Sequence, residues 1–312
     1  MKRMFLLLSC LTVFGFCLHA RPQHEVTGPL RVGIGPVFDA IPLMLAQDRG
    51  YFQQEGVEVE LVLFPNPHER DMALQAGHLD GAVNDLLTVS FLTAAGFDFR
   101  GTNIAKARFG IVASPQSGIT TLEGLRGRNI GLFPNTITQF IADSLLDMVG
   151  VPMTDYDSIA VPNILIRLEM VLNGQIDAAV LPEPILTAAT AQGATLLGTT
   201  DGTGLNLAML FFSQRVLDTR MEEIRAFFRA YYRAATAINA DPDAFRDFLV
   251  ERAGFPVAIR DVFDFLTFTP PAVQEEHHIR RALDWLRARG LLTADISPSD
   301  LIDTRPISEW LN

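Results

Sequence analysis

The sequence predicts an α/β protein of two similar lobes with mostly parallel sheets, joined by a hinge and followed by C-terminal helices. Three observations predict it. The chain contains an internal duplication, each copy alternates strand and helix patterns, and two short stretches would carry the chain between the copies.

The duplication sets residues 64–83 against residues 161–180 without a gap. Pro65, Asn66, Arg70, Gly77, Asp80, Ala82 and Val83 recur as Pro162, Asn163, Arg167, Gly174, Asp177, Ala179 and Val180. Upstream, Val32-Gly33-Ile34 has a counterpart in Ile130-Gly131-Leu132. A stacked repeat array needs at least about three units, so two copies read as two lobes.

Each copy reads strand, helix, strand, helix, strand. In the first, residues 30–34 form an apolar run and 41–52 have helical spacing, with Gly56 as a stop. Residues 57–64 read as a strand, 67–76 as a helix and 81–83 as a strand. The second copy repeats the order at 129–133, 138–149, 158–161, 164–173 and 178–181. Asn66 and Asn163 are suited to cap helices, because their side chains accept from free N–H groups of the first turn. Gly77 and Gly174 are suited to the left-handed position that ends one. Residues 207–212 read as a returning strand, and 221–240, 243–252, 255–268 and 273–289 as helices packing on the first lobe. Crossings near 104–109 and 201–207 assign residues 28–107 and 206–312 to lobe I and 108–205 to lobe II. Two thin crossings between similar lobes make a hinge.

The N-terminus reads as a signal peptide over residues 1–20: Lys2 and Arg3, an uncharged apolar stretch, then a cleavage edge at Ala20. Both cysteines, Cys10 and Cys17, lie there, and either could instead carry a lipid anchor. Cleavage would leave no thiol for disulfides or nucleophilic catalysis. The net charge is −11, which argues against a nucleic-acid partner. No phosphate-binding loop, nucleophile elbow or zinc-protease motif occurs. The reading is therefore of a monomer that is not an enzyme, with no catalytic residue, no metal ligand and no cofactor.

Gly35-x-x-x-Asp39-x-x-Pro42-Leu43-x-x-Ala46, Gly50-Tyr51-Phe52-x-x-Glu55-Gly56-Val57 and Gln75-Ala76-Gly77-x-x-Asp80 form one set of landmarks. Thr121-Leu122-x-Gly124-Leu125-x-Gly127-Arg128-x-Ile130-Gly131, Asn173-Gly174-x-x-Asp177 and Pro182-Glu183-Pro184 form another. Together, over residues 30–240, the chain resembles the periplasmic binding proteins for sulfonates, nitrate, taurine and thiamine-type pyrimidines. The resemblance implies a type II periplasmic binding fold, extracytoplasmic placement, and delivery of a small molecule to the permease and ATPase of an ABC importer. The loop Phe133-Pro134-Asn135-Thr136-Ile137-Thr138 departs from the glycine-serine-threonine turn of many relatives.

Ligands of open parallel sheets bind beyond the carboxyl ends of the strands. The loops that qualify are 35–39, 84–88, 133–138 and 182–183, with Lys106 and Arg108 from the crossing. Phe38 and Phe133 would clamp a planar ring or anchor their loops. Asp39 would bind ligand or cap a helix, and Asn84, Asp85 and Glu183 stand at strand ends. Arg108 is a cleft cation or a solvated hinge residue. Asn135, Thr136 and Thr138 lie at a helix start, which favours anions or simple capping. The carboxylates favour an aminated heteroaromatic, such as a thiamine-precursor pyrimidine or thiamine, over a sulfonate or nitrate. A pyrimidine-making enzyme of the same fold is the further alternative; that branch carries a cysteine cluster, which this chain lacks after Cys17.

Overall fold

The computed structural model describes residues 28–311. The segment read as a signal peptide, with both cysteines, lies outside them.

Two five-stranded sheets organise the described chain. The first contains β1 (Leu30–Ile34), β2 (Val59–Leu63), β3 (Gly81–Asp85), β4 (Phe99–Ile104) and, much later, β10 (Ala208–Ser213). The second contains β5 (Phe109–Ala113), β6 (Asn129–Leu132), β7 (Asp157–Ala160), β8 (Ala178–Pro182) and β9 (Thr195–Thr199). The strand orders are β2-β1-β3-β10-β4 and β7-β6-β8-β5-β9, the same pattern in both lobes. Each sheet joins a parallel trio to a strand that has crossed from the other lobe. β10 runs antiparallel to β3 and β4, and β5 antiparallel to β8 and β9. The central strands β5 and β8 are buried along their whole length, which explains their unbroken apolar sequences.

The duplicated residues perform duplicated tasks. Asn66 accepts from Glu69 N at 3.0 Å, and Asn163 from Leu165 N and Ile166 N at 3.0 Å, at the starts of helices Pro67–Gln75 and Ile164–Leu172. Gly77 and Gly174 follow those helices at φ 71° and 70°. Asp80 accepts from Arg31 N at the head of β1, and Asp177 from Asn129 N at the head of β6. Gly33 and Gly131 leave room for an arginine stem. A Cβ on Gly33 would stand 3.0 Å from Arg70 Cγ, and one on Gly131 3.3 Å from Arg167 Cγ.

The first predicted helix is two, Ile41–Asp48 and Tyr51–Gln54, divided at Gly50, which has φ 67°. Residues 255–268 form only a short 3-10 turn at Val257–Ile259 instead of a helix. Their phenylalanines are spaced for burial, not for a helical face: Phe255, Phe263 and Phe268 are all buried, and Phe268 stacks on Phe38 at 4.5 Å. The tail also reaches beyond lobe I. Helix Glu276–Ala288 lies on helix Leu86–Ala94 of lobe I, yet Trp285 packs edge-on against Phe140 of lobe II. Trp285 Nε1 and Arg289 Nη1 both donate to Asp143 Oδ2 on helix Ile137–Asp147, at 3.0 and 2.9 Å.

The interlobe segments tie to each other. Asn206 Nδ2 donates to Ala105 O at 2.9 Å, and Ala105 N to Ala208 O at 2.9 Å. No helix among the described residues is long and apolar enough to cross a membrane.

Candidate functional site

The carboxyl ends of β1, β3, β6 and β8 face one another across a cleft. Both lobes line it, and most of the lining is apolar: Val37, Phe38, Phe64, Val83, Phe133, Ile137 and Ile164 all contribute. At its floor Phe38 N donates to Glu183 O at 2.8 Å, a backbone bond from one lobe to the other.

Of the residues singled out in the sequence, Phe38, Asp39, Asn84, Asp85, Arg108, Phe133, Thr136, Thr138 and Glu183 line this cleft. Asn135 does not. It is exposed at φ 61°, a left-handed conformation asparagine tolerates, and its N–H donates to Gln139 Oε1 at 2.8 Å. Its task is to turn the chain. Lys106 also lies outside the lining.

Glu183 is 2 % exposed, and its two oxygens are both engaged. Oε1 accepts from Arg108 Nη2 at 2.7 Å and Nε at 3.1 Å, while Oε2 accepts from Thr187 Oγ1 at 2.8 Å and Thr187 N at 3.1 Å. The carboxylate therefore anchors the first crossing to the end of β8. Arg108 keeps Nη1 toward Asp201 on the second crossing, at 3.5 Å. Thr136 and Thr138 fold inward on their own loop: Thr136 Oγ1 donates to Phe133 O at 2.7 Å, and Phe133 N donates to Thr138 Oγ1 at 2.9 Å. They set the pose of Phe133, which stays half-buried at the cleft. Phe38 is buried, with one face covered by Phe268.

The remaining charges gather in lobe I. Asp39, Asp71 and Asp85 surround Arg70. Burial pushes Asp39 up to about 7, against the opposing pull of its own backbone N–H and of Arg70. Burial likewise pushes Asp71 up to about 7, opposed first by Arg70. Asp85 is also raised by burial, although it caps helix Leu86–Ala94 by accepting from Thr88 N at 3.0 Å. Asn84 Nδ2 donates to Asp71 Oδ1 at 3.1 Å. A carboxyl held near neutrality can accept or donate a hydrogen bond, so the cluster suits a ligand edge carrying both kinds of group.

Sequence reasoning passed over Phe64, Asp71 and Arg70. All three belong to the duplicated block; Arg70 read there as one of its structural marks and Phe64 as the end of a strand. The available signal was strand order, since Phe64 directly follows β2 at its carboxyl end.

The chain belongs to the family described as NMT1/THI5 like, whose pattern it matches over residues 37–245. A putative aliphatic sulfonates-binding protein of Bacillus subtilis (strain 168) is 26 % identical over 242 residues, covering 73 % of this chain and 72 % of the relative. The 4-amino-5-hydroxymethyl-2-methylpyrimidine phosphate synthase of Schizosaccharomyces pombe is 25 % identical over 143 residues, covering 45 % of this chain and only 40 % of the synthase. Among solved structures, the alkanesulfonate-binding protein SsuA from Xanthomonas axonopodis pv. citri, bound to MOPS, shares the fold with a TM-score of 0.78 and 20 % identity, over 89 % of this chain and 99 % of that one.

These relatives correct one expectation. The reading of the chain as a non-enzyme does not stand, because several relatives are named as pyrimidine phosphate synthases. The sequence similarity extends to synthases and to a binding protein alike.

Proposed function

We propose that the chain is an extracytoplasmic solute-binding protein that captures a small molecule between its lobes and delivers it to the permease of an ABC importer. The observation that carries this reading is the cleft itself, lined by both copies of the duplication and spanned at the floor by the bond from Phe38 to Glu183. A ligand touching both lobes would favour the closed arrangement by its differential affinity for it. Support for the transport role comes from the binding proteins among the relatives and solved structures.

The ligand class we favour is an aminated heteroaromatic such as a thiamine-precursor pyrimidine. Phe133 and Phe64 offer ring contacts, and Asp39 and Asp85 offer acceptors for amino groups. Glu183 does not add to that set, since Arg108 and Thr187 already occupy it. A small anion is the alternative, favoured by the name of the sulfonate-binding relative. Isothermal titration with 4-amino-5-hydroxymethyl-2-methylpyrimidine and with MOPS separates the two. Micromolar or tighter binding of the pyrimidine, with none of MOPS, is expected; the reverse would replace the ligand class.

A second reading follows from the synthase relatives: the same cleft would transform a bound compound rather than pass it on. Mass spectrometry of a small-molecule extract of producing cells incubated with the protein decides. The binding reading expects no compound to be consumed, and pyrimidine phosphate that appears only when the protein is present would favour the synthase.

A further inference from the structure

Arg70 and Arg167 are the same residue of the duplicated block, and both stems pass over a strand glycine. Their head groups differ. Arg167 also lines the cleft, but it is 1 % exposed and each of its three nitrogens is used as a brace: Nε and Nη2 donate to Val161 O at 3.0 and 2.7 Å, and Nη1 to Val180 O at 2.8 Å. These carbonyls lie at the ends of β7 and in β8, and their lobe I counterparts belong to Phe64 and Val83. Arg70 takes neither. It is 6 % exposed, makes no hydrogen bond to the described residues, and its buried Nε has no partner. Its nearest carboxylate oxygen, on Asp71, stands at 3.9 Å, and the side chain lines the cleft.

An arginine that is buried without hydrogen bonds forgoes what each bond to a charged group normally contributes. Lobe II shows that the same backbone position can engage all three guanidinium nitrogens. We propose that Arg70 is the copy released from bracing to read the ligand: its guanidinium donates to a hydrogen-bond acceptor on the captured molecule, beside Asp39. The ligand edge is therefore a paired acceptor and donor, such as a ring nitrogen next to an amino group, not an isolated anion. A lone anion would meet Arg70 but also the three carboxylates around it; a donor–acceptor edge matches both charges. This inference rests on the binding reading above.

The test titrates 4-amino-5-hydroxymethyl-2-methylpyrimidine into the wild-type protein and into Arg70→Met, which keeps the stem and removes every donor. Binding weakened at least tenfold in the variant is expected, with the arginine Nε–H resonance of Arg70 moving in wild-type NMR spectra as the probe saturates. Equal affinity in a folded variant would overturn the role of Arg70 and leave the binding reading intact. Should Arg70→Met not fold, an Nε–H resonance unmoved at saturation would overturn it alone. No binding of the probe to wild type would overturn both this inference and the ligand class on which it rests.

Discussion

At the scale of single residues, the buried charges yield the sharpest expectations. Asp39 and Asp71 both sit at about 7 in the folded chain, well above an unfolded carboxylate. Between about pH 4 and 7 the native state then holds protons that the unfolded chain has lost, so stability falls as pH rises through this window. Thermal unfolding of the ligand-free protein should show a gain of roughly 3–5 kcal/mol from pH 7 to pH 5, and Asp39→Asn should flatten the slope; an unchanged slope in that variant would exclude Asp39 as the cause. The two arginines should also separate. Arg167→Met strands the carbonyls of Val161 and Val180 and should cost about 3 kcal/mol in urea unfolding, whereas Arg70→Met strands no hydrogen-bond acceptor and should instead push Asp39 and Asp71 further up, since Arg70 opposes the effect of burial on both. Glu183→Ala leaves Arg108 and Thr187 without their acceptor and should cost roughly 1–3 kcal/mol. Phe133→Ala should weaken ligand binding about tenfold, close to 1.4 kcal/mol, with calorimetry as the check. These distinctions were only partly legible in the sequence. Strand order brought eight of the chosen residues to the cleft lining, and the crossing added Arg108, because which residues follow a parallel strand depends on local pattern alone. Which of their atoms are already taken depends on tertiary neighbours. That is why Glu183 read as a candidate ligand carboxylate and Arg70 only as a mark of the duplication.

Among the elements, the tail departs most from its sequence pattern. Strands β4 and β5, which flank the first crossing, gave no strong alternation because β5 is buried on both faces. The stretch 255–268 mimicked a helix because its phenylalanines are frequent, while Gly254, Pro256 and Pro270 limit where one could form. Helix Glu276–Ala288 was anticipated, but its hold on lobe II was not, since that depends on one side chain of another helix. Asp143 is buried, and its oxygens accept from Tyr156 Oη at 2.6 Å, Trp285 Nε1 and Arg289 Nη1. Removing it strands three donors. Asp143→Ala should lower stability by roughly 2–4 kcal/mol and raise hydrogen exchange across residues 276–289. Unchanged protection there would show that apolar packing alone seats the helix.

On the scale of the whole molecule, duplication explains both the fold and the cleft. Two copies of one strand–helix unit place matching strand ends opposite each other, and exchanging one strand between lobes ties the copies by two short segments. Hinge closure follows as the expected response to a ligand that touches both sides. Native mass spectrometry of the purified protein, incubated with a small-molecule extract of producing cells, tests this account most directly. A one-to-one adduct with a compound of low mass is predicted, greatly reduced by Phe133→Ala in lobe II and by Arg70→Met in lobe I. An adduct that survives both substitutions, or the absence of any adduct, would contradict a ligand held between the lobes.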